Sequence, residues 1–463
     1  MRQDPTPFAA HLKAVLALGL PLAGSHLAQI ALHVTDTVMV GWYGVSELAA
    51  VVLGGATFFI FFILGSGFAQ AVTPMVAVEL GRGDEAQVRR DTRMALWLSA
   101  LYGVAVYPAL WWSGSLLLAL GQAPEVAALA QDYLRVAGLG MVPALLIMGM
   151  KGFLSSVERA GIVLWTTLAA TAVNAALNWA FIFGNWGAPE LGVRGSALAS
   201  VVAQVLTFAI LAAVAAFDPA LARFRLFTRF WRADWTALAQ VWRLGWPIGM
   251  TGLFEAGMFE TAALMMGWIG TKELAAHGIA LQLGAISFMV YLGLANAATV
   301  RAGRTVGTDD ARSLRDGAMA AIALVVGAAG VVVAAFLAAP EFLVGLFLDP
   351  DNPGTPAILA YGATLLAVAA LFQLADAAQV MALGLLRGVH DTRWPMIIAS
   401  VGYWLIGIPS SYVLAFRLGL GGVGVWIGLV MGLVFAGTFL MTRFWRGPWF
   451  SGRPADSGAR TPA

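Results

Sequence analysis

The sequence predicts an all-α integral membrane protein with twelve transmembrane helices in two pseudo-symmetric six-helix bundles. Three observations predict it: long charge-free stretches, a one-sided distribution of Lys and Arg, and a gap-free internal repeat. Of the 463 residues, 60% are hydrophobic and 11% charged, against about 25% charged in a soluble domain. The stretches Leu48–Val78, Met94–Pro124, Gly195–Phe217 and Leu418–Thr442 carry no charge. Each exceeds the roughly 20 residues that a helix needs to cross about 30 Å of hydrocarbon. Lipid offers no partner to free backbone N–H and C=O groups, so spans are helices or closed barrels. Barrel strands alternate apolar and polar residues. These runs do not alternate, so they are read as helices.

The spans fall at 14–41, 48–79, 94–118, 133–154, 160–183, 195–217, 243–270, 276–302, 317–340, 357–386, 394–416 and 420–445. No small-residue cleavage site follows the first apolar run, so that run is expected to stay as the first span. Alternate loops hold Arg82, Arg89, Arg90 and Arg93, then Lys151 and Arg159, then Arg223 to Arg243, then Arg301 to Arg315, then Arg387 and Arg393. The opposite loops hold only Arg135, Arg194, Lys272 and Arg417. The positive-inside bias therefore makes both termini cytoplasmic. The segment Asp218 to Gln240, long and polar, reads as a cytoplasmic linker. The expected organisation is an N-lobe at 1–217, a linker at 218–242, a C-lobe at 243–446 and a disordered cytoplasmic tail at 447–463.

The halves repeat at a spacing of 226 residues. Leu18-Gly19 and Pro21 fall on Leu244-Gly245 and Pro247. Thr35, Met39 and Gly41-Trp42 fall on Thr261, Met265 and Gly267-Trp268. Glu47-Leu48-Ala49-Ala50 falls on Glu273-Leu274-Ala275-Ala276, Gly67 on Gly293 and Asp84 on Asp310. Six spans per half make the repeats parallel, and repeat interfaces are where transporters commonly place a substrate.

Net charge is only +2, which gives no reason to expect nucleic acid as a partner. There is no cysteine, which excludes thiolate metal sites, disulfides and thiol chemistry. No phosphate loop is present: Gly421-Gly422-x-Gly424 has neither a preceding strand nor a following Lys-Ser/Thr, and reads as close helix packing. The informative residues are acids inside spans, which are costly there and usually functional. Four qualify: Asp36, Glu255, Glu260 and Asp376. For each the alternative is a carboxylate snorkelling to the interface, which is weighed most evenly for Glu260. A carboxyl removed from water favours its neutral form and can take a proton near neutral pH. His33, three residues before Asp36 and on the same helix face, offers a relay or merely a packed imidazole. Asn174 and Asn178 share a face of span five and need partners, either Asp36 or a neighbouring helix. Gln373, Asp376 and Gln379 form a polar stripe on span ten. Two carboxylates with carboxamide oxygens suit a proton or a hard monovalent cation, so Na⁺ held by Glu255 and Asp376 is the one metal expectation. Met39, Met258, Met265, Phe288 and Trp404 could line an adaptable apolar cavity, or simply pack the core.

With these residues assembled, the chain resembles the multidrug and toxic compound extrusion (MATE) family, in particular its NorM-like bacterial branch. The likeness runs from Leu12 to Trp445. It rests on Val34-Thr35-Asp36-Thr37-Val38-Met39, Asn174-x-x-x-Asn178-Trp179, Phe254-Glu255, Ala275-Ala276-His277, Val300-Arg301-x-Gly303, Gln373-x-x-Asp376-x-x-Gln379-Val380 and Leu386-Arg387-Gly388. The resemblance implies a V-shaped arrangement of the bundles in the bacterial inner membrane. It implies a monomeric antiporter that exports organic cationic drugs or dyes by alternating access, in exchange for Na⁺ or H⁺ and without a cofactor. It implies an N-lobe site at Asp36 with Asn174 and Asn178, and a C-lobe cation site at Glu255 and Asp376. Glu260 is an acid outside the family pattern, and His33 stands where a non-titrating residue is usual. The rival readings are a flippase for lipid-linked oligosaccharide and, in another class, an integral membrane enzyme. The first needs a cationic cavity, and Arg and Lys are almost absent from the spans. The second needs a nucleophile or metal constellation, and none of the five histidines forms one. A channel fits sparse buried acids and a two-fold repeat less well than alternating access does.

Overall fold

Twelve long helices carry the described part of the chain. The structure, a computed structural model, describes residues 7–450. In order they are α1 (Phe8–Tyr43), α2 (Val45–Arg82), α3 (Glu85–Trp111), α4 (Pro124–Ser156), α5 (Ala160–Phe183) and α6 (Val193–Phe217). Then come α7 (Trp235–Ile269), α8 (Thr271–Gly307), α9 (Ala311–Ala338), α10 (Thr355–Gly388), α11 (Arg393–Arg417) and α12 (Gly421–Trp445). There is no strand among the described residues. Eleven of these helices are long and apolar enough to cross a membrane. The exception is α7, whose sequence carries both Glu255 and Glu260. Those two carboxylates lower its hydropathy, and a helix that holds acids at membrane depth does so for a reason other than partitioning. The chain is a multi-pass membrane protein.

The repeat read from the sequence is present in the backbone. Asp84 caps α3 by accepting a hydrogen bond from the N–H of Gln87 at 2.8 Å, and Asp310 caps α9 by accepting from Ser313 at 2.9 Å. The residue before each cap is left-handed: Gly83 has φ 75° and Asp309 has φ 53°. Gly44 and Gly270 precede α2 and α8 with the same extended backbone.

The packing units differ from the sequence halves. One unit comprises Gly24–Gly249; the other comprises the chain before Gly24 together with Met250 onward. The unit boundaries therefore fall inside α1 and α7, shortly after Pro21 and Pro247, and not at 217 and 243. Close backbone packing explains the shift. A Cβ on Gly67 of α2 would meet the Gly249 nitrogen at 2.4 Å, which ties the first half of α7 to α2. In the other unit a Cβ on Gly293 of α8 would meet the Ala23 nitrogen at 2.5 Å, which ties the first half of α1 to α8. These contacts are each other's repeat.

The middle segment is shorter and more ordered than a free linker. Asp234 caps α7, accepting from the N–H of Ala237 at 3.0 Å, so the helix begins at Trp235. Before it, the Arg93 guanidinium donates to the Arg229 carbonyl at 3.0 Å, and Phe224 sits edge-on to Phe153. At the other end, Pro448–Phe450 of the expected disordered tail forms a 3-10 turn. The Trp449 ring nitrogen donates to the Phe444 carbonyl at 2.9 Å, and Phe450 stacks on Trp445. Residues 451–463 lie outside the described residues.

α11 is wound wide. It contains π-helical turns at Val401–Gly407 and Val413–Arg417. Pro409, at the start of the intervening α-helical turn, lacks the N–H that would bond four residues back, and its ring crowds that carbonyl. Such turns cluster at functional sites. Glycine lets α12 approach this region: a Cβ on Gly432 would lie 2.6 Å from the Gly402 carbonyl oxygen.

Candidate functional site

Each packing unit holds one buried cluster of polar side chains. In the Gly24–Gly249 unit the centre is Asp36, on α1 and 9% exposed. Asn174 and Asn178 are four residues apart on α5, so they share a face, and both are fully buried. The Asn178 side-chain nitrogen donates to Asp36 Oδ1 at 2.5 Å and to Asn174 Oδ1 at 3.2 Å. Ser200, on α6, donates to Asp36 Oδ2 at 3.0 Å and accepts from the Asn174 amide at 3.2 Å. The result is a closed ring of Asp36, Asn178, Asn174 and Ser200. Tyr133 of α4 lies within electrostatic range of Asp36. No Lys, Arg or His side chain forms an ion pair with Asp36 among the described residues.

His33 does not join this ring. Its side chain is exposed, and the hydrogen bonds to Asp36 come from Asn178 and Ser200. A three-residue step leaves the two side chains about 60° apart around the helix. That places the imidazole on the exposed strip with Val34, Thr37 and Val38.

In the other unit the cluster joins α7, α8, α10 and α11. Asp376 and its stripe partners Gln373 and Gln379 are all buried. The Gln379 amide donates to Glu255 Oε1 at 3.4 Å and to the Tyr403 hydroxyl at 2.5 Å. The wide turn of α11 is what presents Tyr403 here. Glu255 and Asp376 lie within electrostatic range of each other, as do Tyr291 of α8 and Asp376, and Arg387 and Glu255. Asp376 Oδ1, Gln379 Oε1 and both amide atoms of Gln373 are buried with no hydrogen-bond partner in the protein. Three of these four atoms are oxygens, the donor set a hard cation prefers. No group of three or more His, Cys, Asp or Glu gathers for a metal among the described residues.

The remaining expectations resolve differently. Glu260 is exposed, 140° around α7 from Glu255, and does not enter the cluster. Met39 is buried with Val40, Val51, Ile182 and Val193 in an apolar core. Met258 and Met265 are also buried, at 0% and 2% exposure. These three thioethers pack helices together, so they do not offer a free apolar surface. Phe288 is half-buried. Trp404 is 40% exposed, its ring nitrogen donating to the Phe254 carbonyl at 3.2 Å. Ser200, Tyr133, Tyr291, Tyr403 and Arg387 were not singled out from the sequence as site residues. Of these only Arg387 stood in a quoted motif.

The family profile described as MatE matches residues 21–180 and 247–413. The chain is 47% identical over 446 residues to "Probable multidrug resistance protein NorM" of Rhizobium meliloti (strain 1021), covering 96% of each chain. It is 44% identical over 435 residues to the protein of the same name from Agrobacterium fabrum (strain C58 / ATCC 33970), covering 94% of each. Among solved structures, the eukaryotic MATE transporter AtDTX14 superposes with a TM-score of 0.86 at 18% identity, over 96% of this chain and 98% of that one. An outward-facing multidrug resistance MATE family transporter superposes with a TM-score of 0.84 at 21% identity, over 96% and 99%. At these identities the structures speak for the fold.

Proposed function

Since this chain belongs to the MatE family, we propose that it is a secondary active multidrug efflux antiporter. It exports organic cations across the bacterial inner membrane by alternating access, with Na⁺ or H⁺ moving inward. Both termini face the cytoplasm in this reading. The relatives are named as multidrug resistance proteins, and export of chemically varied compounds is the activity carried over from those names.

One observation carries the reading: Asp36 is buried in a membrane helix and held by neutral donors alone, Asn178 and Ser200. A carboxylate without a counter-charge in low dielectric is costly. It is relieved by a proton or by a cationic guest, and these exclude each other. Competition of that kind is the elementary requirement for exchange. The C-lobe pair supports the same logic with a second ion-sized site. There Glu255 and Asp376 would hold Na⁺ or a proton, with Gln373 and Gln379 supplying neutral oxygens.

The test is efflux of a fluorescent organic cation from proteoliposomes under a Na⁺ gradient alone and a pH gradient alone. Efflux under one gradient identifies the coupling ion. Absence of efflux under both, from protein that binds the dye, overturns antiport.

A further inference from the structure

We propose that the corner where the middle segment meets the start of α3 binds the phosphodiester headgroup of an anionic phospholipid. The leaflet is the inner one, which rests on the cytoplasmic placement of this segment in the reading above. Arg93, Arg229 and Arg232 supply the charge, and Trp231 and Trp235 are the interfacial anchors.

All of these residues belong to the Gly24–Gly249 unit. The middle segment is packed at the level where two spans leave the membrane. The Phe230 and Trp97 ring centroids are 6.4 Å apart, and the Asp234 N–H donates to the Met94 sulfur at 3.3 Å. Met94 is where the charge-free run of the third span begins. Phe224 meets Phe153, near the end of the fourth span, edge-on at 5.6 Å. The segment therefore lies at headgroup level and not out in the cytoplasm. There it displays two indoles: Trp231 is 76% exposed and Trp235 is 75% exposed. Indoles, apolar with one polar edge, favour the membrane–water interface.

The same corner gathers positive charge. Arg93 is 5% exposed, and Arg89, Arg90 and Arg232 lie within electrostatic range of it, against one acid, Asp234. The Arg93 guanidinium and the Arg232 N–H both donate to the Arg229 carbonyl, each at 3.0 Å. Arg229 has φ 52°, a left-handed conformation that is costly for a residue with a Cβ. The turn ties Arg229 and Arg232 to Arg93. The Nε atoms of Arg93 and Arg90 are buried with no hydrogen-bond partner in the protein. Asp234 Oδ2 stands 3.9 Å from Arg90 Nε, beyond hydrogen-bond length. Arg229 and Arg232 are exposed and form no ion pair among the described residues, whereas Arg223 pairs with Glu85 at 3.4 Å. The positive-inside bias accounts for arginines in this loop. It does not account for guanidiniums packed together, one of them buried with an unused donor, beside two exposed indoles. A phosphodiester supplies both the counter-charge and the acceptor. Its acyl chains would lie on the membrane side, where the indoles favour a lipid over a soluble phosphate.

The test uses the full-length protein in detergent micelles and reads lipid binding by native mass spectrometry. The probes are dioctanoyl phosphatidylglycerol and dioctanoyl phosphatidylcholine. Each arginine at a membrane surface contributes about fivefold, so wild type should prefer the anionic lipid by roughly twenty-five-fold. Arg229→Gln with Arg232→Gln keeps the carbonyl and N–H that close the turn, and should abolish the preference. Arg223→Gln, which removes an equally exposed but paired guanidinium, should keep it. Trp231→Ala should weaken both lipids alike. Inorganic phosphate at the same concentration should not displace the anionic lipid. Equal affinity of wild type for the two lipids would overturn the site without recourse to any variant. Equal loss in Arg223→Gln would reduce the preference to net charge, and displacement by phosphate would make the ligand a soluble anion; either result overturns the lipid site. Micelles expose both faces, so binding is read independently of orientation. A wrong orientation shows instead as maleimide labelling of Thr228→Cys in intact cells.

Discussion

One side-chain nitrogen of Asn178 serves two acceptors, Asp36 Oδ1 and Asn174 Oδ1, and so uses both of its hydrogens. Its orientation is fixed: with the amide reversed, an oxygen would face both acceptors. The aspartate is thus held by a rigid neutral donor and not by an opposite charge.

Asn178→Ala should separate function from stability. The bond to Asp36 joins α5 to α1 and the bond to Asn174 lies within α5; interhelical hydrogen bonds in membranes are worth about 0.6 kcal/mol, so losing the pair should cost about 1 kcal/mol of stability at most. Drug efflux should fall much further, by about a hundredfold, because Asp36 loses its positioning. Thermal melts in detergent and efflux assays on the same preparation check this. Proportionate loss of both would reduce Asn178 to structural glue.

Asp36→Asn should fold and insert normally yet lose coupled efflux. The substitution keeps size and polarity and removes the ionisable group proposed to exchange a proton for a cation. Resistance of cells expressing the variant, normalised to protein level, is the measurement. Full resistance would remove Asp36 from the coupling mechanism.

The C-lobe pair should show competition between Na⁺ and protons. Two nearby carboxyls repel when both are ionised, so one retains a proton unless a cation lies between them. Raising the pH strips the competitor, and apparent Na⁺ affinity should rise until both groups are ionised. Isothermal titration at several pH values should show this in wild type. It should show strongly weakened binding in Glu255→Gln and Asp376→Asn, and little change in Glu260→Gln, whose parent side chain is exposed and outside the cluster. Equal Na⁺ affinity in wild type and both C-lobe variants would rule out a shared site.

Thr228 and Lys272 should lie on opposite sides of the membrane. Both are exposed, and no native cysteine interferes. In intact cells an impermeant maleimide should label Lys272→Cys and spare Thr228→Cys until the membrane is permeabilised. Labelling of both would break the twelve-span topology.

The sequence made the helices, the repeat and the central acids legible because each is a one-dimensional signal. Charge is absent over a span, a Pro or Asp recurs at fixed spacing, or a carboxylate stands in an apolar run. Ser200 carries no such signal. Serine is common in membrane helices, and only the approach of α6 to α5 puts its hydroxyl between Asn174 and Asp36. Tyr403 depends on a π-turn that Pro409 hints at and does not specify. For His33 the sequence left relay and packing both open, because a three-residue step puts two side chains near one face without fixing contact between them. For the methionines the sequence left cavity and core both open, because a soft side chain serves either, and burial decides for the core. The unit boundaries were hidden for a further reason: the polar middle segment marks where the chain leaves the membrane, whereas Gly67 and Gly293 decide which helices pack.

The two left-handed corners at Gly83 and Asp309 bear on how the chain is made. Each is closed by bonds among immediate neighbours. Asp84 N–H reaches the Glu79 carbonyl at 3.0 Å, and Asp310 N–H reaches Thr305 at 3.1 Å, with the cap bonds just beyond. Nothing distant in sequence is needed to form them. A nascent chain can therefore turn back after α2, and again after α8, while later helices are still unsynthesised. Each pair, α2 with α3 and α8 with α9, can then enter the bilayer as a preformed hairpin. Replacing either capping aspartate with alanine should slow insertion more than it harms the finished transporter, because local contacts set the early rate.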